Sequence, residues 1–360
     1  MTAAITSFWT ASALGVGNAE TLANLQRGRA PGMREIGGDI PGRTIYFGGI
    51  DVALPTIAEK KWNMRACRLL KLAVESLGPE LDAVRARVAP ERLGIVLGAS
   101  NTGIDEAQAC VDEWIDTGAK PDALDFSMIE LGTPALYLKE LLGTAGPAYT
   151  VSTACSSAAK AFGAARRLLE RGVCDAVVTG GVDGRCRFAM NGFHALGALA
   201  QGRCRPLAPD RDGINLGEAV ALFVLERTGA GVRVRGVGES SDAYHATAPD
   251  PEGAGAEASM RAALADAALA PADIDYVNLH GTGTPANDAM EMKAVARVFA
   301  GLPQLPRCES TKSLTGHCLG AAGAVEAAIC ALLIQSGACR AALSNSFAFG
   351  GSNASLVLSA

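Results

Sequence analysis

The sequence predicts a mixed α/β protein built from two duplicated halves, and three observations lead to this fold class. Hydrophobic residues make up 49% of the chain, glycine contributes 42 of its 360 residues, and aromatic residues make up only 5%. This composition suits close packing of helices on sheets better than an aromatic-rich β-sandwich core. Short apolar runs that end in glycine also alternate with segments of helical periodicity. The third observation is an internal repeat.

The repeat joins the same kinds of segment in the same order twice. The first copy reads Ser152-Thr153, a helix, Gly172-Val173-Cys174, a strand and Gly180-Gly181. The second copy reads Ser310-Thr311, a helix, Gly337-Ala338-Cys339, a strand and Gly350-Gly351. Because the order is kept throughout, we expect matching turns of the two halves to meet at one site. Glycines at 229 and 231 mark the predicted junction, which divides the chain into residues 1–228 and 229–360.

Periodicity predicts the remaining elements. In the first half these are a short initial strand, helices over 19–27, 61–78, 104–116 and 128–142, a Gly/Pro-rich loop over 31–42, strands over 91–98, 174–181 and 219–226, and a loop-rich stretch over 186–218. In the second half they are a strand over 232–237, helices over 256–269, 288–299 and 321–336, strands leading into His280 and Lys312, and a terminal strand.

Composition argues against several classes of function. A net charge of −5 without a dense Lys/Arg block argues against a nucleic-acid-binding surface. The ten cysteines contain no C-x-x-C pair, so we expect reduced thiols in a cytoplasmic protein rather than a metal site. The first residues are too uncharged for a secretory leader. No apolar run reaches the roughly 18 residues of a membrane span.

One cysteine lies at a turn where reactivity is expected. The run Tyr149-Thr150-Val151-Ser152-Thr153-Ala154-Cys155 changes from a β-rich to a helical, Ala/Ser-rich pattern. At such a turn, backbone N–H groups and the helix dipole stabilise a thiolate, so we expect a lowered pKa for Cys155. A lone cysteine is more often a buried structural residue. Two histidines further along the chain favour a reactive site over a structural role for Cys155.

These histidines follow strands in glycine-flanked turns, His280 in His280-Gly281-Thr282-Gly283 and His317 in Thr315-Gly316-His317-Cys318. A cysteine can take an acyl group from a thioester, while two imidazoles donate hydrogen bonds to the carbonyl oxygen of a second thioester. Donors aimed at a developing enolate contribute roughly 3–4 kcal/mol each, which is what decarboxylation of a malonyl group requires. A protease triad would leave the second histidine unexplained.

Five motifs resemble the β-ketoacyl synthases, in particular the elongating Cys-His-His branch of the thiolase superfamily. They are Thr153-Ala154-Cys155-Ser156-Ser157, His280-Gly281-Thr282-Gly283-Thr284-Pro285 with Asp288 and Glu291, Thr311-Lys312-Ser313-Leu314-Thr315-Gly316-His317, Gly320-Ala321-Ala322-Gly323-Ala324-Val325-Glu326, and Asn345-Ser346-Phe347-Ala348-Phe349-Gly350-Gly351-Ser352-Asn353. The resemblance implies a five-layered α-β-α-β-α thiolase-like fold without a cofactor or catalytic metal. It also implies acyl carrier protein as the partner that delivers acyl and malonyl groups, and a dimer formed either with itself or with a homologous ketosynthase-like subunit.

The resemblance assigns roles residue by residue. Cys155 becomes the acylated nucleophile, while His280 and His317 polarise the malonyl carbonyl. Lys312 orders the site by pairing with Glu291. Phe349 gates the site, and its backbone N–H joins that of Cys155 in an oxyanion hole. The other assigned residues are Thr282, Thr284 and Phe347 for substrate binding, and Asp288 and Glu326, with Glu291, for structural support.

The chain also departs from the family pattern, which leaves the acyl pocket and the substrate open. The departures are Arg205-Pro206-Leu207-Ala208, which lacks the usual aromatic residue and acid, Gly217-Glu218-Ala219-Val220-Ala221, which has alanines for glycines, and His194 in place of a glycine. Fatty-acid synthesis and a specialised type II polyketide or aryl-polyene-like pathway both fit. Initiating synthases and thiolases differ at the position of His280. A non-catalytic, chain-length-determining partner of a ketosynthase is the alternative outside catalysis, although such partners typically lack the nucleophile.

Overall fold

The structure is a computed structural model that describes residues 2–360. The strands are β1 (Ala3–Ser12), β2 (Gly15–Val16), β3 (Met33–Ile40), β4 (Arg43–Gly48), β5 (Leu93–Gly98), β6 (Ala148–Val151), β7 (Ala176–Asp183), β8 (Leu216–Gly217), β9 (Ala219–Glu226), β10 (Arg233–Ser241), β11 (Tyr276–Asn278), β12 (Arg307–Glu309), β13 (Ala341–Ala348) and β14 (Ser352–Ser359). The helices are α1 (Asn18–Gln26), α2 (Arg65–Ser76), α3 (Gly78–Arg87), α4 (Ile104–Thr117), α5 (Thr133–Leu142), α6 (Ser157–Glu170), α7 (Arg187–Ala195), α8 (Ala254–Ala267), α9 (Pro285–Val298), α10 (Lys312–Thr315) and α11 (Ala322–Gln335).

The main sheet carries the predicted duplication. Its strand order is β12-β11-β13-β14-β10-β1-β9-β7-β5-β6, and β2 pairs with β1. Counted from each outer edge, both halves show two parallel ladders followed by two antiparallel ones. The halves join where Ala3 of β1 pairs with Val234 of β10. The duplicated fold is therefore confirmed. The junction at 228/229 falls between β9 and β10, and the division into two domains stays a prediction.

Alternating side chains on the strands build five layers. On β9, Ala221 and Phe223 belong to the central core that contains α6 and α11. The intervening Leu222 belongs to the core that contains α2 and α5. A third core packs α8 and α9 on the outer face of the second half. Because successive side chains of a strand point to opposite faces, each half of the sheet lies between two helical layers.

Helix α11 forms the middle of this arrangement together with α6. Its residues 322–334 are all buried, and Glu326 is the one charged side chain among them. A helix that is apolar on every side is stable only inside a protein. Burial on all sides therefore places the Glu326 carboxyl group in the interior, where it needs a partner.

Small residues allow α6 to approach the strand ends closely. A Cβ atom on Gly98, the last residue of β5, would lie 2.2 Å from the backbone nitrogen of Ala158. No side chain fits at that distance. The absence of a side chain at Gly98 lets the first turn of α6, which follows Cys155, lie directly over the sheet.

Several sequence predictions of secondary structure were wrong. Residues 31–42 contribute to the β3–β4 hairpin, because Pro41-Gly42 forms a tight turn with Gly42 at φ 69° and the register shifts between Ile36 and Ile40 around two glycines. The loop-rich stretch 186–218 contains helix α7. The terminal strand is a pair of antiparallel strands, β13 and β14. The helix predicted over 61–78 begins only at Arg65, and an additional helix, α3, follows it.

Candidate active site

Three turns bring the candidate catalytic residues together. Cys155 lies between β6 and α6, His280 follows β11, and His317 lies between α10 and α11. All three side chains are buried. Cys155 belongs to the first half and both histidines belong to the second, so matching turns of the duplicated halves meet at one place.

Cys155 and His317 are in direct contact. The distance from Cys155 Sγ to His317 Nε2 is 2.9 Å. Burial raises the pKa of the Cys155 thiol to about 12, although the charge of Lys312 and the backbone N–H of Phe349 favour the thiolate. Burial and Lys312 also hold the pKa of His317 well below its usual value. The resting pair is a neutral thiol beside a neutral imidazole. The expected lowering of the Cys155 pKa was wrong, because removal from water outweighs the helix N-terminus.

His280 is a neutral imidazole whose tautomer is set by Lys312. Lys312 Nζ lies 2.5 Å from the His280 carbonyl oxygen and 3.4 Å from its Nδ1. Because an ammonium group only donates, Nδ1 is the acceptor and the ring proton lies on Nε2. Burial and the charge of Lys312 hold the pKa of His280 well below its usual value. The two histidine rings meet edge to face, with centroids 5.3 Å apart.

Lys312 pairs with Glu326 rather than with Glu291, so the predicted ion pair was wrong. The Lys312 ammonium group on α10 contacts the Glu326 carboxylate on α11, and both side chains are buried. Burial raises the pKa of Glu326, and the charge of Lys312 opposes this shift. The pair compensates two charges that neither element could bury alone.

Glu291 instead fixes the backbone at His280. Its two carboxylate oxygens accept hydrogen bonds from His280 N at 2.8 Å and from Gly281 N at 2.7 Å. The Asn345 side-chain amide donates a third at 3.1 Å. Burial raises the pKa of Glu291 to about 7, although these hydrogen bonds favour the ionised form. Glu291 thus holds the turn that presents the His280 ring.

Asp288 connects this turn to one of the segments that depart from the family pattern. Its carboxylate accepts from Gly283 N at 3.2 Å and from Leu207 N at 2.8 Å, and Arg211 Nε lies 3.4 Å away. Leu207 adopts φ 66°, a left-handed conformation that is unusual for leucine. The altered segment at 205–208 is therefore anchored to the second half by a buried acid.

A cavity leads from these residues to the surface. Cys155, His280 and His317 line it together with the four residues assigned to substrate binding, Thr282, Thr284, Phe347 and Phe349. Other residues that line it include Phe193, Leu196, Asp242, Thr247, Ala248, Pro249, Ala286 and Asn287. The wall is mostly apolar, which suits an acyl chain.

Phe349 lies at the mouth of the cavity and also reaches the nucleophile. Its backbone N–H favours the thiolate form of Cys155. Its ring is 38% exposed and lies 5.6 Å from the Phe193 ring, centroid to centroid. The next residue, Gly350, adopts φ 79° and donates its N–H to Ala246 O at 2.8 Å. The turn after β13 thus joins the nucleophile to the segment after β10.

Four residues near the site show what sequence could and could not indicate. Phe193 and Leu196 contribute to the cavity from α7 and its C-terminal end, in a stretch that periodicity predicted to be loop-rich. Asp183 carried no prediction, and the signal for it was an acid closing an otherwise apolar strand after Gly180-Gly181. His194, singled out from the sequence, is exposed and its Nδ1 lies 3.0 Å from an Arg43 guanidinium nitrogen.

The three central side chains also form a set of metal-type ligands. One ligand atom from each of Cys155, His280 and His317 lies within 4.8 Å of the others. Thiolate and imidazole are the ligands that zinc prefers. Lys312, however, leaves the proton of His280 on Nε2, the nitrogen that a metal would need. The arrangement is better suited to hydrogen-bond donation to a carbonyl oxygen.

Two family models together match most of the chain. The family model described as "Beta-ketoacyl synthase, N-terminal domain" matches residues 66–230, and "Beta-ketoacyl synthase, C-terminal domain" matches residues 232–345. The chain is similar to nodulation protein E of Rhizobium sp. (strain N33), with 37% identity over 68% of this chain and 63% of that protein. It is similar to 3-oxoacyl-[acyl-carrier-protein] synthase 2 of Staphylococcus aureus, with 34% identity over 68% of this chain and 64% of that protein.

A solved structure extends the similarity to nearly the whole chain. It is described as ketosynthase (ApeO) in complex with its chain length factor (ApeC) from Xenorhabdus doucetiae, and one of its chains matches with a TM-score of 0.95 and 39% identity. The match covers 99% of this chain and 98% of that chain. The two curated relatives, by contrast, are spanned over less than two thirds of their own length. Among residues 2–360, no helix is both long enough and apolar enough to cross a membrane.

Proposed function

Because the chain belongs to the β-ketoacyl synthase family, we propose that it is an acyltransferase that catalyses a decarboxylative Claisen condensation. An acyl group bound to Cys155 would combine with the malonyl group of malonyl-acyl carrier protein to give a β-ketoacyl product. The observation that carries this proposal is the grouping of one thiol with two neutral imidazoles at the inner end of an apolar cavity.

The first step loads the enzyme. Cys155 Sγ attacks the carbonyl carbon of an acyl thioester while its proton moves to His317 Nε2, 2.9 Å away. The new S–C bond forms, the bond from the acyl carbon to the carrier sulfur breaks, and the carrier thiol leaves with a proton. The Phe349 N–H, which favours the Cys155 thiolate, and the Cys155 N–H stabilise the oxyanion that develops between these events.

The second step joins the two carbon chains. The Nε2–H groups of His280 and His317 donate hydrogen bonds to the malonyl thioester oxygen, the bond to the carboxylate breaks, and CO₂ leaves. The resulting enolate carbon attacks the acyl carbon on Cys155, the bond from that carbon to Cys155 Sγ breaks, and the sulfur leaves as a thiolate that takes up a proton from solvent. His317 can serve both steps because its Nδ1 has no hydrogen-bond partner among the described residues, so no such bond fixes its tautomer.

The partners follow from the same chemistry. We propose acyl carrier protein as the carrier of both groups, and a dimer formed with a second copy or with a homologous ketosynthase-like subunit. We also propose that the protein works in the cytoplasm, in fatty-acid synthesis or in a type II polyketide or aryl-polyene-like pathway. Condensation assays with a panel of saturated, polyenoic and aryl acyl carriers would identify the pathway, because each candidate pathway requires a different acyl group.

Intact-protein mass spectrometry tests the loading step. After incubation with an acyl-acyl carrier protein, the wild type and Cys110→Ala should each gain one acyl mass, whereas Cys155→Ala should gain none. Cys110 is a matched control because it is a free, buried cysteine on α4 that does not line the cavity. An acylated Cys155→Ala, or an unmodified wild type, contradicts the proposal.

A second candidate is a chain-length-determining partner subunit without activity of its own. The similarity to a chain from a complex of a ketosynthase with its chain length factor favours it. Incubation of the purified protein alone with acyl- and malonyl-acyl carrier protein separates the two candidates. A synthase releases CO₂ and forms β-ketoacyl product, whereas a partner subunit forms none alone and changes the product length of a ketosynthase added to it.

A further inference from the structure

A buried carboxyl group near the site has no role in the steps described so far. Asp183 is the last residue of β7 and is completely buried. Its Oδ1 accepts hydrogen bonds from the backbone N–H groups of Ser100 and Asn101, both at 2.9 Å. Its Oδ2 accepts from the Ser100 hydroxyl at 2.7 Å and from the backbone N–H of Gly320 at 2.6 Å. Every one of these partners is a donor.

The donors come from both halves of the molecule. Ser100 and Asn101 follow β5 in the first half, whereas Gly320 lies in the second half, three residues after His317. The Ser100 hydroxyl contacts both halves, because it donates to Asp183 and Gly320 N lies 3.3 Å from it. The fit at position 320 is tight, since a Cβ atom there would lie 2.7 Å from Asp183 Oδ2 and 2.8 Å from the Ala99 carbonyl carbon. Asp183 thus attaches the segment 317–320 to the strand ends of the first half.

The position of the His317 ring depends on how its backbone is held. Its Nδ1 makes no hydrogen bond among residues 2–360, so no partner on that side orients the ring. Its backbone is held by the segment 215–217, where His317 N donates to Asn215 O at 2.7 Å and His317 O accepts from Gly217 N at 3.1 Å. A further anchor, three residues along the chain, is the Gly320–Asp183 bond. The separation of His317 Nε2 from Cys155 Sγ therefore follows from where the backbone of 317–320 is held.

We propose that Asp183 is a positioning residue that holds His317 at proton-transfer distance from Cys155 across the junction of the two halves. An asparagine would turn an amide N–H₂ group towards donors, so Asp183→Asn moves Gly320 away and His317 with it. The cavity wall contains neither Asp183 nor Ser100, so substrate binding is unaffected. The expected signature is a loss of rate without a loss of binding.

The test uses full-length variants in steady-state condensation assays and in alkylation of Cys155 by iodoacetamide. Asp183→Asn should lower kcat and the Cys155 alkylation rate by about 100-fold, as expected when reacting groups are displaced by about 1 Å. KM should stay within about threefold of wild type, because binding contacts are kept. Ser100→Ala removes one hydroxyl from the same junction and should lower both rates by roughly 3–10-fold, the effect of one hydrogen bond.

The matched control is Asp175→Asn, immediately before the other end of β7, where the carboxylate pairs with Arg92 and Arg227 at the surface. It should keep wild-type kcat and alkylation. If Ser100→Ala keeps both wild-type rates, or if Asp183→Asn or Ser100→Ala changes only the melting temperature, Asp183 is a structural residue and the proposal fails. If Asp183→Asn does not fold, Ser100→Ala decides alone. The kcat readout rests on the proposed function, whereas the alkylation of Cys155 does not, so failure of the two proposals can be told apart.

Discussion

Each candidate catalytic side chain depends on a neighbour for its protonation state. Burial keeps Cys155 as a thiol, so nucleophilic attack needs a base in contact with the sulfur, and His317 provides it. Lys312 occupies Nδ1 of His280 and keeps the ring proton on Nε2. Nε2 is the nitrogen that remains free for the substrate, and it can donate a hydrogen bond but cannot accept one. His280 and His317 thus have different tasks because their imidazole rings have different neighbours.

This difference predicts that loading and decarboxylation can be separated. His280→Ala should lower decarboxylation of malonyl-acyl carrier protein by roughly 100–1,000-fold, because one donor to the developing enolate is lost. Acylation of Cys155 should change by only a few-fold, since His280 makes no hydrogen bond with Cys155 Sγ. Release of CO₂ and acyl-enzyme mass measure the two steps independently. His194→Ala is the control, because His194 is an exposed histidine. Loss of acylation with intact decarboxylation would exclude the assigned roles.

The Lys312–Glu326 pair leads to a prediction about stability. Lys312→Met leaves the Glu326 carboxylate without a cation in the interior, which should lower the free energy of unfolding by about 3–5 kcal/mol. The double variant Lys312→Met/Glu326→Leu should recover part of that loss, because no charge then stays buried. Urea denaturation followed by circular dichroism measures both.

The exposed pair of Lys293 and Glu252 provides the matched control. Lys293→Met should change the free energy of unfolding by less than about 1 kcal/mol, since surface ion pairs contribute little. Equal stability of Lys312→Met and the wild type would show that the buried pair is not needed to neutralise Glu326.

For single residues, the sequence indicated which residues form the site better than it indicated what surrounds each of them in the fold. Cys155, His280 and His317 each lie in a short motif whose local order is enough to single them out. The partner of Lys312 could not be predicted in this way, because Glu326 reaches it only through the packing of α11 against α10. The sign of the Cys155 pKa shift was missed for the same reason, since burial depends on residues distant in sequence.

Among the elements, α6 and α11 determine how closely the two halves approach the site. Their contact with the strand ends depends on residues without side chains, such as Gly98. Gly98→Ala should place a methyl group 2.2 Å from Ala158 N, which forces α6 outwards. We expect a loss of about 1–3 kcal/mol in the free energy of unfolding, typical of overpacking, and slower acylation, because Cys155 precedes this helix.

Gly132→Ala is the control for this substitution, because a Cβ atom there would have no neighbour within 4 Å. Its stability should stay within about 0.5 kcal/mol of wild type. Thermal unfolding and the acylation rate check both variants. A Gly98→Ala protein as stable and as active as Gly132→Ala would contradict the close packing described here.

Element types could be predicted wherever one pattern covered a whole segment. Strand β9 was predicted as residues 219–226 because both of its faces are apolar, and α11 was predicted within one residue at each end. The β3–β4 hairpin was missed because its glycines and proline indicate a loop, whereas in the structure they form a bulge and a tight turn. Helix α7 was missed because it is only nine residues long and Met190 is the one fully buried residue in it.

For the whole molecule, exposed apolar side chains mark one face on which a subunit could bind. Ile115 on α4 and Phe126 in the following segment are 76% and 77% exposed. Further exposed apolar residues on α4, on α5, between them and on the edge strand β6 are Val111, Trp114, Ile129, Leu131, Leu136 and Tyr149. A group of exposed apolar side chains on neighbouring elements is typical of a protein–protein interface.

Charge placed on this face should prevent assembly. The double variant Ile115→Lys/Phe126→Lys should appear as a monomer in size-exclusion chromatography with light scattering, whereas the wild type should assemble with itself or with a homologous ketosynthase-like subunit, as proposed above. Burying two lysines without partners is strongly unfavourable. Leu305→Lys, at an exposed apolar residue outside this face, should assemble normally. A double variant that assembles like the wild type would place the interface elsewhere.

The position of β1 at the centre of the main sheet has a consequence for how the protein is made. Its partners, β9 and β10, lie far along the chain, and Thr10 already bonds to Val220, 210 residues away. At translation rates of about 5–20 residues per second, roughly 10–40 s pass before the ribosome supplies those partners. Until then an apolar strand has no place in the sheet. Nascent-chain protection, rather than intrinsic folding speed, is therefore expected to limit the yield of native protein.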